Sequence, residues 1–301
     1  MTDRLDSMAM LVACVDAGSL SAGARQLRLP LATVSRRVSE LETRLGTALL
    51  HRSVRGLSLT DPGAAYVAAC RRVLEDVAEA ERIAAGEFVA PRGVLTLTAP
   101  IVFGRLHVLP LVTAFLQLYP EVDIRLELTD RPVGLQEENI DAAIRIGRLP
   151  DSSLRARRLG SVRRVVCASP GYIDRHGRPD RPEALEDHVC IAFGPLIPGL
   201  RWSFGQGKDA RTVPVRPRLS VNTAEAAIDA ALSGLGLTRV LSYQIAAPLA
   251  EGRLRLLLAS AEPEPWPVSL IYRGGPVPQK LRSFLDFAAP RLETALRHLP
   301  G

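Results

Sequence analysis

The N-terminal segment has an apolar pattern with a helical period. Apolar residues recur every three or four positions over 4–17, 21–29 and 31–45, and this spacing predicts three amphipathic helices. Gly18 and Pro30 stand between the helices, where such residues typically break helical backbone. Two helices joined by a tight break, with a third in front of them, form the helix-turn-helix arrangement.

A short β-hairpin is predicted directly after the third helix. Residues 49–50 and 57–60 have the pattern of two short strands, and the basic turn 51–56 joins them. A hairpin in this position is a wing. The sequence therefore predicts a winged helix-turn-helix domain, all-α with a small β wing, over residues 1–61.

A long linker helix is predicted over 62–87. Thr60 offers a capping hydroxyl, and Pro62 lies in the first turn, where its missing N–H costs nothing. Five residues of this helix share roughly heptad spacing: Val67, Cys70, Leu74, Val77 and Ala84. Such a seam predicts pairing with a second copy of the helix, although Glu81 weakens that interpretation. The alternative is a helix packed against its own domain.

Strands and helices alternate after a linker at 91–93. The pattern predicts strands at 94–98, 122–129, 141–147, 162–168, 189–193, 219–221, 236–240 and 268–272. It predicts helices at 104–119, 133–139, 224–233 and 280–299, and a short helix near 171. Pro290 is expected to interrupt the last helix. This alternation indicates a multidomain α/β protein with a parallel sheet and right-handed crossovers over 92–301.

The distribution of charge adds to this picture. The chain has 301 residues, enough for two or more cores, with a formal net charge of +6. Residues 1–60 contain eight arginines and five acidic residues, a net of +3, whereas 62–91 contain three arginines and five acidic residues, a net of −2. The basic excess at the N-terminal end suits a polyanionic partner.

Cysteine usage and the N-terminal charges bear on the cellular compartment. Cys14, Cys70, Cys167 and Cys190 are far apart without CxxC spacing, so we expect free buried thiols in a reducing cytosol. A redox switch between Cys167 and Cys190 is the alternative. Charges over 3–6 argue against a signal peptide, and no uninterrupted apolar run is long enough for a membrane span. We expect a cytoplasmic protein without a membrane partner.

The third helix has one apolar and one polar face. With Val34 at the centre of the apolar face, Ala32 and Arg36 project from the opposite side and Thr33 lies near it. An arginine at the middle of an exposed helix face can reach guanine O6 and N7 in the major groove. Ser35 and Arg37 flank that face and suit phosphate contacts. The alternative is an ordinary amphipathic helix with a solvated basic face.

Neighbouring segments favour the nucleic-acid interpretation. Ser21 is expected to open the second helix, whose N-terminal N–H groups favour a phosphate. Arg52 and Arg55 lie in the wing turn, from which they can reach sugar-phosphate or the minor groove. Together these features predict a surface for double-stranded DNA.

Several ordered motifs accompany this surface. They are Ala17-Gly18-Ser19-Leu20-Ser21-Ala22-Gly23-Ala24-Arg25-Gln26-Leu27, Val34-Ser35-Arg36-Arg37-Val38, Leu41-Glu42, Leu45-Gly46, Leu49-Leu50-His51-Arg52, Leu59-Thr60-Asp61-Pro62-Gly63, Asp141-Ala142-Ala143-Ile144-Arg145-Ile146-Gly147 and Gly234-Leu235-Gly236-Leu237. The set resembles the LysR-type transcriptional regulators over essentially the whole chain. One departure is that Leu31 and Ala32 stand where many relatives have polar residues, so base contacts there should be apolar or absent.

The resemblance implies both a function and a domain plan. Ser35 and Arg36 would be the principal helix contacts with DNA, and Arg52 and Arg55 the wing contacts. Residues 62–91 would form a dimerisation helix and hinge. Residues 92–301 would form a periplasmic-binding-protein-like effector domain, with lobe 1 near 92–161 and 268–295, and lobe 2 near 163–265. Homodimers or homotetramers, and contact with RNA polymerase, are the expected assemblies.

Effector contacts are expected beyond the carboxyl ends of the strands. The predicted contacts are Thr98, Ala99, Pro100, Thr129, Phe193, Asn222 and Thr223, with Arg145 as the eighth. Trp202, like Phe193, is a candidate for the wall of an apolar cleft. Phe193 and Trp202 have simple core packing as their alternative. Thr223 and Asn222 precede a helix, and either caps it or presents it to a carboxylate.

Arg145 is the most unusual of the cleft candidates, because it is a charge near the end of a strand that should be covered on both faces. Burial of a charge demands a partner. That partner is either the carboxylate of an effector, which would be an organic anion, or an internal acid such as Asp130 or Asp141.

Enzymatic motifs are missing from the sequence. There is no GxSxG, HExxH or P-loop pattern, and the five histidines show no metal-ligand spacing. We therefore expect no catalytic residues, no metal and no cofactor. The competing function is a solute-binding protein or an enzyme that uses the α/β domain without DNA binding.

Overall fold

The chain folds as two compact units, Met1–Gly93 and Val94–Gly301. The computed structural model describes residues 3–53, 56–84, 90–131, 134–135, 138–149, 154–194, 200–275 and 277–299.

The first unit is a winged helix-turn-helix followed by a long helix. Its elements are α1 (Asp3–Asp16), α2 (Leu20–Gln26), α3 (Leu31–Leu45), β1 (Leu50–Ser53), β2 (Gly56–Leu59) and α4 (Asp61–Ala84). The two strands pair antiparallel as the wing. The three predicted helices, the wing and the long helix are confirmed, and residues 85–87 of the predicted long helix lie outside the described residues.

The apolar face of α3 is buried only at its middle. Val34, Val38 and Leu41 are buried, whereas Leu31 and Leu45 at the two ends are exposed. Val34 packs with Cys14 of α1 and Ala24 of α2. Val38 and Leu41 belong to the same core cluster as Leu11 of α1. Val34, Val38 and Leu41, which we call the anchor of α3, hold the polar face of the helix toward solvent.

Hydrogen bonds connect α3, the wing and α4. The Glu42 carboxylate accepts from the backbone N–H groups of Leu49, at 2.8 Å, and Leu50, at 3.1 Å. The Thr60 hydroxyl accepts from the Gly63 N–H at 3.0 Å, which is the predicted cap of α4. Gly63 packs so closely that a Cβ there would lie 1.9 Å from the Leu49 carbonyl oxygen. The junction needs a glycine for this reason.

The predicted apolar seam on α4 divides into two parts. Val67 and Cys70 are buried within their own unit, as the alternative interpretation requires. Leu74 and Val77 are half-buried, and Val73 beside them is 40% exposed. Among the seam residues whose side chains are described, only Leu74 and Val77 are open to a partner, and the side chain of Ala84 lies outside the described part.

The second unit is an α/β structure. Its strands are β3 (Gly93–Ala99), β4 (Val122–Leu128), β5 (Ala142–Ile146), β6 (Leu154–Val162), β7 (Arg164–Ala168), β8 (Cys190–Phe193), β9 (Arg201–Phe204), β10 (Arg211–Pro214), β11 (Pro217–Val221), β12 (Leu237–Leu241), β13 (Arg255–Leu257) and β14 (Trp266–Arg273). Its helices are α5 (Ile101–Phe103), α6 (Leu109–Leu118), α7 (Pro170–His176), α8 (Ala224–Leu232), α9 (Ala246–Ala250) and α10 (Gln279–Arg297).

Two mixed five-stranded sheets define two lobes. Lobe 1 has the order β4-β3-β5-β14-β6, and lobe 2 has the order β11-β8-β12-β7-β13. β14 runs antiparallel to β5 and β6, and β7 runs antiparallel to β12 and β13. The prediction of a parallel sheet is wrong for these strands. The chain crosses between the lobes through β6–β7 and β13–β14, and each strand after a crossing joins its sheet in the opposite direction.

α10 continues through Pro290, so the predicted interruption is wrong. A proline inside a helix costs about 3 kcal/mol or more. This helix buries Leu285, Ala289 and Leu292, among others, against the lobe 1 core, and each buried leucine contributes about 1.5–3 kcal/mol. Burial on both sides of the proline outweighs the local cost.

The predicted helix over 133–139 is not a helix where the chain is described. Glu138 and Asn139 form a turn, and Asn139 has a positive φ of 56°. Positions 133, 136 and 137 lie outside the described residues. Strands β6, β9, β10 and β13 were not predicted from the sequence; β9, β10 and β13 have only three or four residues each, and β6 has three arginines among its exposed positions.

A π-helical turn, Gly104–Val108, joins α5 and α6 into one helix. By length and composition alone, Ile101–Leu118 could cross a membrane, a test that core helices of soluble proteins also pass. Phe103, Val112 and Phe115 on this helix are buried in the lobe 1 core. The helix is a packed element of the lobe.

All four cysteines are free and buried. Cys167 on β7 and Cys190 on β8 are separated by β12, which places their backbones about 9.5 Å apart, beyond disulfide reach. They also belong to different core clusters on the two faces of the sheet. A disulfide switch between them is therefore excluded.

Candidate functional site

The exposed face of α3 presents the predicted helix contacts together. Ala32 and Arg36 are exposed, while Thr33, Ser35 and Arg37 are partly buried beside them. The Arg36 side chain is 63% exposed and therefore free of the protein core. The three-residue anchor on the opposite face keeps this orientation.

Glu40 pairs with both arginines of this face. Arg36 Nη1 lies 3.0 Å from one Glu40 carboxylate oxygen, and Arg37 Nη1 lies 3.7 Å from the other. The pairs follow from i,i+4 and i,i+3 spacing on a helix. Arg36 is therefore paired with an acid of its own helix, and a phosphate or a base would have to compete with Glu40 for it.

The start of α2 differs from the prediction. Its cap is Ser19, whose hydroxyl accepts from the Ala22 N–H at 3.1 Å, and α2 begins at Leu20. Ser21 is exposed in the first turn, with its hydroxyl 3.2 Å from that of Ser19. Ser21 is thus placed beside the helix start rather than at its cap.

The wing is attached to the turn in front of α2. The Leu57 N–H donates to the Gly18 carbonyl at 3.4 Å. Arg52 lies on β1 by its backbone, and its side chain is outside the described part. Arg55 also lies outside the described residues. Their roles as wing contacts stay predictions.

A cavity of about 760 Å³ lies between the two lobes of the second unit. Its lining contains four of the eight effector contacts predicted from the sequence, namely Pro100, Thr129, Arg145 and Phe193. Volumes of this size are typical of small-molecule sites.

The other four predicted contacts are placed elsewhere. Thr98 and Ala99 are buried in lobe 1 and do not belong to the cavity lining. Thr223 caps α8, since its hydroxyl accepts from the Ala226 N–H at 3.3 Å, and Asn222 is exposed before it. Strand ends predicted the right edge of the sheets but not which side chains turn toward the cavity.

Several lining residues were missed by the sequence analysis. They are, among others, Asp130, Arg131, Tyr243, Gln244 and Trp266. Trp202, which the sequence offered for an apolar cleft, is instead buried in the lobe 2 core. Trp266 lies at the start of the returning strand β14, a position that only the topology identifies.

Of the arginines that line the cavity, Arg145 is the one without an acidic partner among the described residues. Its Nη1 donates to the Ile144 carbonyl at 3.1 Å, and its Nη2 is buried without a hydrogen-bond partner. The two acids proposed as partners are used elsewhere: Asp130 accepts from the Ile101 N–H at 3.1 Å and Asp141 from a β3 N–H at 2.7 Å.

Burial affects the electrostatics of this guanidinium. Desolvation lowers the pKa of Arg145 below its ordinary value, while Glu138 and Glu127 raise it by a smaller amount. The negative charges of Glu138 and Glu127 therefore do not offset the unfavourable effect of burying the Arg145 guanidinium. The sequence left two partners open for Arg145, an effector carboxylate or an internal acid. The structure gives no support to the internal acid, because neither Asp130 nor Asp141 is paired with Arg145.

The two crossings between the lobes are linked beside the cavity. Arg163, between β6 and β7, contacts both carboxylate oxygens of Glu262 at 3.0 Å. Burial raises the pKa of Glu262, and the charge of Arg163 opposes this rise. Arg164 lies over the Trp266 ring at 4.3 Å from its centroid, a cation–π distance. These contacts join the two connections between the lobes to each other.

A buried histidine lies under the cavity wall. His107, in the π-helical turn, packs against Phe103 and against Tyr243, with ring centroids 4.8 and 5.8 Å away. Its Nε2 is buried without a partner, and desolvation lowers the pKa of His107. The neutral ring fits this apolar contact between a lobe 1 helix and the segment after β12.

Within the described parts of the chain, no three His, Cys, Asp or Glu side chains form a group that could hold a metal ion.

Comparison with known proteins gives matches over both units. A family model described as bacterial regulatory helix-turn-helix protein, lysR family, matches residues 5–64. A second model, described as LysR substrate binding domain, matches residues 89–293. The helix-turn-helix with its wing and the two-lobed α/β unit are thus both parts of one known architecture.

Relatives match along nearly the whole length. An HTH-type transcriptional regulator of Xanthomonas campestris pv. campestris is 38% identical over 297 residues, covering 97% of this chain and 86% of that protein. The regulator CrgA of Neisseria meningitidis is 35% identical, covering 97% and 98%. The solved CrgA structure has a TM-score of 0.61 at 33% identity, covering 95% and 98%.

A third likeness is to the full-length Vibrio cholerae virulence activator AphB, at 28% identity, with a TM-score of 0.60 and coverage of 95% and 98%. The first two are described as HTH-type transcriptional regulators, and AphB as a member of the LTTR protein family. The chain belongs to the LysR family of bacterial DNA-binding transcriptional regulators, in which a helix-turn-helix is joined to an effector-binding domain.

Proposed function

We propose that this regulator binds its operator through α3 and the wing, and that a small molecule in the cavity between the lobes controls this binding. The observation that carries the proposal is the exposed basic face of α3, held outward by its buried anchor. The proposed DNA contacts are Ser21, Ala32, Thr33, Ser35, Arg36, Arg37, Arg52 and Arg55.

Three segments divide these tasks in the proposal. Residues 1–61 bind DNA, 62–91 form the dimerisation helix and hinge, and 92–301 bind the effector. Pro100, Thr129, Arg145 and Phe193 are the proposed effector contacts, because they line the cavity. Thr98, Ala99, Asn222 and Thr223 lack this support.

Regulation requires that the effector distinguish two arrangements of the lobes. A ligand shifts such an equilibrium only as far as its affinity differs between the two states. The cavity has walls from both lobes, with Thr129 on one side and Leu241 on the other, so closure around a ligand changes its contacts. Recruitment of RNA polymerase would follow from the altered geometry of bound DNA.

A homodimer or homotetramer is part of the proposal. Exposed apolar side chains on two helices support this assembly. On α6, Leu109 is 44% exposed and Leu118 is 61% exposed, and Val73 on α4 is exposed as well. Such residues gain from burial against a second copy. Sedimentation of the full chain should give a multiple of 32.6 kDa, and a monomer at micromolar concentration would contradict the assembly.

A gel-shift titration tests the function. The full-length protein is mixed with duplex fragments from its own chromosomal neighbourhood and with a shuffled duplex of the same length. We expect selective binding that weakens steeply between about 50 and 200 mM salt, because phosphate contacts release counterions. No binding to any fragment at low salt would refute the proposal and favour a ligand-binding protein without a DNA target.

A further inference from the structure

The cavity between the lobes has a mainly apolar wall. Six of its lining residues are Leu135, Ile146, Phe193, Leu241, Trp266 and Ile271. Both lobes contribute, so an apolar ligand body would be enclosed from two sides. A wall of this kind disfavours strongly hydrated ligands such as sugars, which need a hydrogen-bond partner for each hydroxyl group.

Two of the three arginines in the lining already have acidic partners. Arg131 contacts Glu138 at 3.0 Å, and Arg148 contacts Glu264 at 3.1 Å. Their charges are therefore largely balanced within the protein. Arg145 differs, since no carboxylate of the described residues lies within ion-pair distance of it and its Nη2 is buried without a partner.

We propose that the effector is a monocarboxylate with an apolar body, whose carboxylate pairs with the Arg145 guanidinium while the body packs against the apolar wall. The proposal rests on the proposed function of the cavity and narrows its ligand. One guanidinium without an acidic partner suits one carboxylate, and a charge-assisted hydrogen bond of this type is among the strong ones.

Other ligand classes fit the cavity less well. A phosphate dianion would place about two negative charges beside one uncompensated cation in an apolar surrounding, where each unmatched charge is penalised. A neutral ligand can offer the guanidinium a carbonyl or hydroxyl acceptor, but it leaves the half-buried positive charge without a counter-charge, which is costly. Of the three classes, the monocarboxylate both accepts the hydrogen bond and balances a single positive charge.

Pairs of probes that differ only in charge test the proposal. Phenylacetate, cyclohexanecarboxylate and hexanoate are titrated into the full-length protein by calorimetry, each beside its primary amide and beside inorganic phosphate. We expect at least one acid to bind ten times or more tightly than its amide, without displacement by phosphate. An amide that binds as tightly as its acid, a phosphate that competes, or no preference for any acid would overturn the proposal.

Variants assign the preference to one side chain. Arg145→Gln keeps a polar side chain but removes the charge, and should abolish the preference of acid over amide. Arg157→Gln is the matched control, because Arg157 lies in the same lobe, pairs with Glu293 at 2.9 Å and is not part of the cavity lining. Equal losses in both variants, with unchanged melting temperatures, would contradict the assignment.

A gel shift on the same samples separates this proposal from the function on which it rests. Selective DNA binding without any acid preference would overturn the ligand class and leave the regulator intact. Absence of DNA binding in wild-type protein would instead refute the proposed function, whatever the calorimetry showed.

Discussion

The face of α3 makes a quantitative prediction for Arg36→Ala. A bidentate arginine–guanine contact contributes about 1–3 kcal/mol of discrimination. To make it, Arg36 has to leave Glu40, and an exposed pair of this type contributes only about 0.2–0.5 kcal/mol. The gain exceeds the loss, so the variant should bind its operator about 2- to 110-fold more weakly, corresponding to about 0.5–2.8 kcal/mol.

Fluorescence anisotropy with an operator duplex and with single-base variants of it measures this effect. Arg36→Ala should lose affinity for the operator and lose its preference at one base pair, while its melting temperature stays that of wild type because the side chain is exposed. Glu40→Gln is the companion variant. It releases Arg36 and Arg37 and removes a negative charge from the DNA face, so about two-fold tighter binding to all sequences is expected.

Two results would refute this reasoning about Arg36. Unchanged base preference in Arg36→Ala would remove the residue from sequence reading. An equal loss on operator and shuffled DNA would make Arg36 a phosphate contact, since such contacts carry no sequence information.

Four further predictions concern stability and reactivity. Glu42→Ala should lose about 1–3 kcal/mol in urea unfolding, because two strand N–H groups lose their acceptor, whereas Glu42→Gln should retain most of it. Gly63→Ala should destabilise by about 1–3 kcal/mol or more in the same assay, since its Cβ would meet backbone. The lowered pKa of His107 means that the unfolded chain binds its proton more readily, so melting temperature should fall as pH drops below about 6.5, and less steeply in His107→Leu; identical slopes would contradict this. Burial raises the pKa of Cys167 and of Cys190 to about 12, so neither should react with a thiol reagent until the protein unfolds.

Local sequence patterns determined most of the first unit. The helices of the DNA-binding domain, its wing and the Thr60 cap follow from residues within a few positions of one another, and all are present in the structure. The outward face of α3 was predictable for the same reason, because a helical period fixes which side chains share a face. Glu40 lay within this pattern, and its i,i+4 spacing from Arg36 was the signal that could have identified it.

Tertiary structure alone decided the cavity. Strand ends indicated the correct edge of the sheets, but only half of the predicted contacts line the cavity, and Trp266 and Tyr243 reach it from segments that no local pattern connects to β5. The state of Arg145 depends equally on distant residues, because its lack of an acidic partner follows from where Asp130 and Asp141 make their own hydrogen bonds.

The direction of the strands has the same explanation. Each βα pattern predicted a parallel sheet, yet β14 enters lobe 1 antiparallel after crossing from lobe 2, and Arg163 meets Glu262 from 99 positions away. Periodicity encodes which way a side chain faces on its own element, since that depends on backbone geometry over one or two turns. Which elements become neighbours depends on how the apolar faces of all elements in the domain are buried against one another. That arrangement cannot be read from any single segment of the sequence.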